Sequence, residues 1–339
     1  MKAKIVLSYA IFVFLIYIDS NLTGYAQIKS NCHKWVVEFD ASSIEAIILK
    51  PEEILADMDK FWDTNEAYKQ VKWWHELRHQ PINNETYRSR IMYYCDIVPE
   101  LRTDNPSLLL TKRLMQAEED FKFKAIPHVC SFLPDRDMKL ISHIYFTAAI
   151  STSAFAISSE EDYLVISITD PYWEGSFTTI QNAMVHEMFH TGYNQNLDLW
   201  RDAEFPSEIS RSLLTKLHTE GMATYTAYRA TSIFPAPAEK DFPLIEDLTE
   251  VKNRLIKLNK LFRKSEMLRP EQLQQESWEI GVEQRAFYVM GAFMAKTIDE
   301  NAGREVLIES LEKGSLFFLQ TYNELVEKSM KLYDFQKLK

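Results

Sequence analysis

Residues 178–191 read TTIQNAMVHEMFHT, and this stretch decides the fold. Ile180, Ala183, Met184, Val185, Met188 and Phe189 surround a helix on nearly every side, so the segment is expected to be a buried helix, closed by Gly192 and Asn194. It carries His186-Glu187-Met188-Phe189-His190, an H-E-x-x-H sequence. Residues four apart on a helix project on nearly the same side, so His186 and His190 can offer imidazole nitrogens to one ion. Glu187 lies one step round, within reach of a water on that ion. Two histidines and a carboxylate on a buried helix need partners, because unpaired buried polar groups are costly, and a metal satisfies all three.

A second H-E-x-x-H occurs at His75-Glu76-Leu77-Arg78-His79. Its neighbours are Lys69, Gln70, Lys72 and Gln80, and Arg78 puts a cation inside the motif, where it would be repelled by zinc. This copy reads as a solvated helix face beside Trp73 and Trp74, a pair expected to pack rather than to form a ligand platform. The metal site is therefore assigned to residues 186–190.

The third ligand must come from another element. Glu220 stands in His218-Thr219-Glu220-Gly221-Met222-Ala223, on a helix expected from Pro206 to about Arg229. Gly221 and Ala223 are small enough to let that helix approach another closely, and Leu213, Leu214, Leu217 and Met222 make the surroundings apolar. His218 is the alternative, but it lies about 200° from Glu220 round the helix, so the two cannot face one ion.

An H-E-x-x-H helix followed some thirty residues later by a glutamate on a second helix resembles the gluzincin peptidases, and the Glu-Gly-x-Ala context resembles bacterial families of zinc-dependent peptidases of unknown function. The resemblance implies a zincin-like fold and one Zn2+ per chain, held by His186, His190 and Glu220, with Glu187 as general base and proton shuttle. It also implies a peptide or protein substrate. Tyr288-Val289-Met290-Gly291-Ala292 is similar to a segment of some gluzincin aminopeptidases whose tyrosine donates a hydrogen bond to the oxyanion, a role that would fall to Tyr288. An ordinary aromatic core residue is the other reading of Tyr288, since Phe287, Val289, Met290 and Phe293 flank it. Two features depart from the pattern. Thr224 stands where many gluzincins place an aspartate four residues after the third ligand, and the Gly-x-Met-x-Asn signature of many aminopeptidases is absent. In zincins an edge strand pairs with extended substrate, and Tyr163 to Thr169 is the candidate for it.

Around the motif the pattern is α+β, with a small mixed sheet packed on the active-site helix and a mostly helical second lobe. Residues 27–125 read as a helical region, with Pro51 at a helix start, and helices at Asn84 to Tyr94 and Ser107 to Phe123. Residues 126–200 hold two or three strands, at Lys139 to Ala149, Ala154 to Ser158 and Tyr163 to Thr169, and then the motif helix. Residues 201–339 form a helical lobe carrying the third ligand, with further helices at Asp247 to Arg263, Pro270 to Asp299, Arg304 to Lys313 and Leu316 to Met330. The basic run Lys252 to Lys264 has helical spacing and reads as a solvated face.

The first 26 residues read as a signal peptide. Lys2 and Lys4 precede an apolar run from Ile5 to Ile18, and Gly24 and Ala26 suit a cleavage site before Gln27. The chain is thus expected to be exported, to the periplasm or beyond the cell, with no stable membrane insertion after cleavage. Three cysteines, Cys32, Cys95 and Cys130, allow one disulfide and one free thiol, or none, and the fold is not expected to depend on a disulfide. The formal charge of −11 argues against nucleic-acid partners. No Gly-rich phosphate loop and no G-x-S-x-G is present. Rival readings are a non-enzymatic exported binding protein on a zincin-like scaffold and a zinc hydrolase of another amide or ester. Oligomeric state is not legible.

Overall fold

The computed structural model describes residues 35–77, 82–95, 103–135, 140–150, 152–158, 162–194 and 207–333. The expected signal peptide, Cys32, Arg78, His79 and Pro206 lie outside them.

The chain enters through strand β1 (Val36–Asp40) and then runs through helices α1 (Ser42–Leu49), α2 (Pro51–Ala56), α3 (Met58–Thr64), α4 (Glu66–Leu77), α5 (Asn84–Cys95), α6 (Pro106–Gln116) and α7 (Glu118–Cys130). Pro51 occupies the first turn of α2, where its missing N–H costs nothing. Strands β2 (Ile141–Thr147), β3 (Ala154–Ser158) and β4 (Asp162–Ser167) follow, then the motif helix α8 (Phe177–Asn194) and α9 (Glu208–Arg229). The remaining helices are α10 (Asp241–Glu246), α11 (Leu248–Lys264), α12 (Pro270–Ser277), α13 (Ala286–Asn301), α14 (Arg304–Lys313) and α15 (Ser315–Leu325). This is an α+β protein with a small mixed sheet. Among the described residues, no helix is long and apolar enough to cross a membrane.

The sheet has four strands in the order β1-β2-β4-β3. β1 and β4 both run parallel to β2, and β3 runs antiparallel to β4. Two expectations need correction here. The sequence pointed to two or three strands, and β1, only five residues long, was not foreseen. Tyr163 to Thr169 is not an edge: β4 is hydrogen-bonded on both sides, Ser142 to Thr147 pairing one flank and Ala154 to Ser158 the other. The edge strand beside α8 is β3.

Side chains alternate across the sheet, so Ser142, Ile144 and Phe146 share one face and His143 and Tyr145 the other. Ser142 meets Thr191 of α8 at 3.5 Å on the first face. On the second, Trp74 of α4 stacks on Phe155 of β3, with centroids 5.1 Å apart. The sheet is thus a layer between α4 and α8. Helix α8 is buried almost all round, from Thr179 through Met184, Val185, Met188 and Phe189 to Tyr193, as its apolar circumference implies.

Helix α9 starts at a capping box formed by Ser207 and Ser210 and lies between α8 and α13. Its contact with α13 is made backbone to backbone. A Cβ on Gly221 would overlap the Cα and carbonyl carbon of Gly291, and one on Gly291 would overlap the Leu217 carbonyl oxygen and the Gly221 Cα. Further along, Tyr225 of α9 donates to Asp299 of α13 at 2.6 Å, and Arg304 at the start of α14 binds the same carboxylate through Nε at 2.8 Å. Buried side chains from Trp35 to Leu332 form one continuous cluster. Cys130 is disulfide-bonded, which selects the first of the two thiol arrangements open to the sequence.

Two outcomes follow from this packing. Gly221→Ala or Gly291→Ala forces apart backbones that have no side chain to yield, so each should lower unfolding stability by about 2 kcal/mol or more in urea titrations. His128 of α7 donates Nε2–H to the Thr226 carbonyl of α9 at 2.9 Å. Burial pushes its imidazole down to about 4, and Arg304 and Arg229 push the same way. Its folded pKa lies below the unfolded value of about 6.5, so its stability is present above pH ~6.5 and is lost as pH falls toward 4. The melting temperature of His128→Gln should fall less than that of the wild type across this window.

Candidate metal centre

Helices α8 and α9 deliver the three predicted donors to one point. His186 and His190 face the same side of α8, with Nε2 atoms 3.1 Å apart. Glu220 Oε2 from α9 lies 3.6 Å from each of them. Two nitrogens and one oxygen at these separations form a near-regular triangle. An ion with ligand bonds of about 2.0–2.1 Å has tetrahedral ligand–ligand edges of roughly 3.3 Å, so the triangle fits one face of a zinc tetrahedron. Two imidazoles and a carboxylate are also a donor set suited to that ion.

Burial and mutual charge set the protonation of these groups. His190 and Glu187 are buried. Burial opposes the charged form of His190, but the Glu220 carboxylate outweighs it by charge and hydrogen bonding and raises the imidazole's pKa. Burial also opposes the charged form of Glu220, and His190 and His186 together hold it well below the usual carboxylate range. Burial pushes Glu187 upward, the Glu220 charge adds to the rise, and His186, His190 and Arg285 oppose it.

His218 faces away from the triad, on the opposite side of α9. Its Nδ1 lies 3.1 Å from the Tyr193 hydroxyl and its Nε2 3.0 Å from Ser310 Oγ, and its ring stacks on Phe318 at 4.4 Å. Burial pushes its pKa down to about 3, so it is a neutral core histidine joining α8, α9, α14 and α15. Tyr288 lies on the triad side. Its ring is nearly parallel to the His186 imidazole, 19° between planes and 6.2 Å between centroids.

His186, Glu187, His190, Glu220 and Tyr288 line one cavity of about 720 Å³. Thr152 to Ala156, at and before β3, form one wall, with Trp74 at its rim. Tyr172, Glu239 and Asp241 stand along the same cavity, with Trp278, Val282 and Arg285. Thr224, one turn beyond Glu220, also lines it, and its hydroxyl is buried with no hydrogen-bond partner among the described residues.

The other H-E-x-x-H makes no such arrangement with its described residues. The first histidine, His75, is not on a solvated face but buried, with Nε2 2.7 Å from the Tyr87 hydroxyl. Glu76 is exposed. Trp74 both packs on Phe155 and reaches the cavity, so the two readings of the Trp73-Trp74 pair are combined in one side chain.

A family model described as "Putative zinc dependent peptidase (DUF5700)" matches residues 55–331. The chain belongs to this family. No curated protein and no solved structure matches it. Among the described residues, His186, His190 and Glu220 are the group of histidines, cysteines and acids whose donor atoms converge so that they could hold a metal ion, all within 4.8 Å of one another.

The sequence did not point to the segment that closes the cavity. Pro270 to Asp299 was expected as one helix. In the structure it breaks after α12 into a π-helical turn, Trp278–Glu283, and resumes as α13 after Arg285. Arg285 adopts φ 58°, a left-handed conformation that costs a non-glycine residue about 1 kcal/mol. The one available signal was Gly281, whose missing side chain makes room for the ring of Phe287. The detour brings Trp278, Val282, Arg285 and Tyr288 to the cavity together.

If the triad binds zinc, purified wild-type protein should contain about one zinc per chain by plasma emission spectroscopy, and Glu220→Ala close to none. Retention of full zinc by Glu220→Ala would remove that residue from the donor set.

Proposed function

We propose that the protein is an exported gluzincin-type metallopeptidase on a zincin-like scaffold, binding one zinc through His186, His190 and Glu220. The observation that carries the reading is the convergence of these donors with Glu187 and Tyr288 in one cavity walled by the free edge of a sheet. Zinc bound there would polarise both a water and the substrate carbonyl.

The protein's own groups supply the rest. Among the described residues β3 has no strand on its outer side, and it lies beside α8, so an extended peptide could pair with its backbone next to the triad. Glu187 accepts the proton of the attacking water and hands it to the departing amine, a two-way task that its raised pKa suits. Tyr288 donates its hydroxyl proton in a hydrogen bond to the oxygen that gains charge as the carbonyl is attacked. Burial holds that phenol well above its ordinary value, so it stays protonated and able to donate. The disulfide at Cys130 fits an oxidising compartment, in keeping with the signal-like start of the chain.

The test is cleavage of an unfolded protein substrate by the purified protein lacking residues 1–26. Cleavage should be abolished by a chelator and restored by zinc. Glu187→Gln should keep the metal and lose at least ~100-fold in kcat. Tyr288→Phe should lose roughly 100-fold in kcat with little change in KM. Zinc-loaded wild-type protein that cleaves no member of broad peptide libraries would sink the peptidase reading.

A further inference from the structure

The Tyr288 hydroxyl has no hydrogen-bond partner among the described residues, so no hydrogen bond aims it. What holds the phenol is the residue one turn earlier. The Arg285 guanidinium carbon lies 3.3 Å from the centre of the Tyr288 ring. That guanidinium is itself fixed from the other side: Nε and Nη2 lie 2.9 and 2.6 Å from the same oxygen of Asp241. The Asp241 side chain is 3% exposed and stands at the start of α10, where its backbone N–H is bound by Glu239 at 3.0 Å. The left-handed backbone at Arg285, directly after the π-helical turn, turns the side chain back over its own helix rather than away from it.

We infer that the Asp241–Arg285 ion pair is a positioning device for Tyr288, clamping the phenol ring so that its free hydroxyl addresses the reacting carbonyl. Arg285 touches neither the triad nor, on this reading, the substrate, and it acts through Tyr288. The inference rests on the peptidase reading for its consequence, but not for the clamp itself. The chemistry explains the residue types. A planar guanidinium lies flat on an aromatic face and at the same time presents its edge to a carboxylate, which an ammonium cannot do. Asp241 is buried, so losing its negative charge releases the fork. Tyr288 lines the cavity, and its hydroxyl carries no hydrogen bond among the described residues, which is what a donor to a transient oxyanion requires.

Two measurements test this, one of them independent of activity. A 3-fluorotyrosine placed at position 288 should give a narrow 19F resonance in otherwise wild-type protein, with or without zinc, and a shifted or broadened one in Arg285→Lys and Asp241→Asn. Asp241→Asn changes a single atom and is the variant that preserves the fold if Arg285→Lys does not. In steady-state kinetics Arg285→Lys should lower kcat about 30-fold and Asp241→Asn about 10-fold, with KM and zinc content within twofold of wild type. In the Tyr288→Phe background the same substitutions should add less than about twofold, because the group they position is gone. An unchanged 19F signal in both variants, or losses that multiply in the double variants, would overturn the clamp. If the 19F signals respond as expected while wild-type protein cleaves nothing, the clamp stands and the peptidase reading fails.

Discussion

The centre depends on two helices touching without side chains between them. Glu220 is useful only if α9 lies close to α8 on one side and α13 lies close to α9 on the other. Gly221 and Gly291 meet backbone to backbone at that second crossing, and Glu220, next to Gly221, and Tyr288, about one turn before Gly291, face the same cavity. The glycines act by being absent in volume. Any side chain at either position would widen the crossing and carry one functional group away from the other. The polar lock of Tyr225, Asp299 and Arg304 holds the far end of the same contact, so the crossing is fixed at two points rather than one.

Around this contact the protein separates its buried polar groups into two kinds. His218, His75 and His128 are each paired with neutral hydroxyls or a carbonyl, and they knit helices together. His186, His190 and Glu220 are paired chiefly with one another, an arrangement that leaves their lone pairs directed at a common point. The distinction is energetic. Three mutually facing donors are under-satisfied until a cation joins them, whereas each structural histidine has a polar partner on another helix.

The parts of this arrangement differ in how plainly the sequence announces them. The motif helix was legible because its apolar residues surround it, and a helix buried on all sides is rare enough to be informative. Glu220 was legible from its apolar neighbours and from Gly221. Tyr288 stood out only through the resemblance of its segment to that of some gluzincin aminopeptidases, and only the structure shows that Gly291 meets Gly221. Other features carried no local signal. β1 is short and gains its identity from pairing with β2 about a hundred residues later, and the roles of β3 and β4 as edge and interior depend on strand order, which side-chain alternation does not encode. His75 was misread because charged neighbours within one turn suggested solvent, while its actual partner, Tyr87, comes from the next helix. The break at Trp278–Glu283 was hidden because every residue in it except Gly281 tolerates a regular helix.

One wall of the cavity has an unusual origin. Trp74 belongs to α4, more than a hundred residues before the motif helix, in a part of the chain that contributes no donor to the centre. Its indole leans on Phe155 rather than on any group of the triad. A change at this position would therefore reshape one wall of the cavity without touching the three donors.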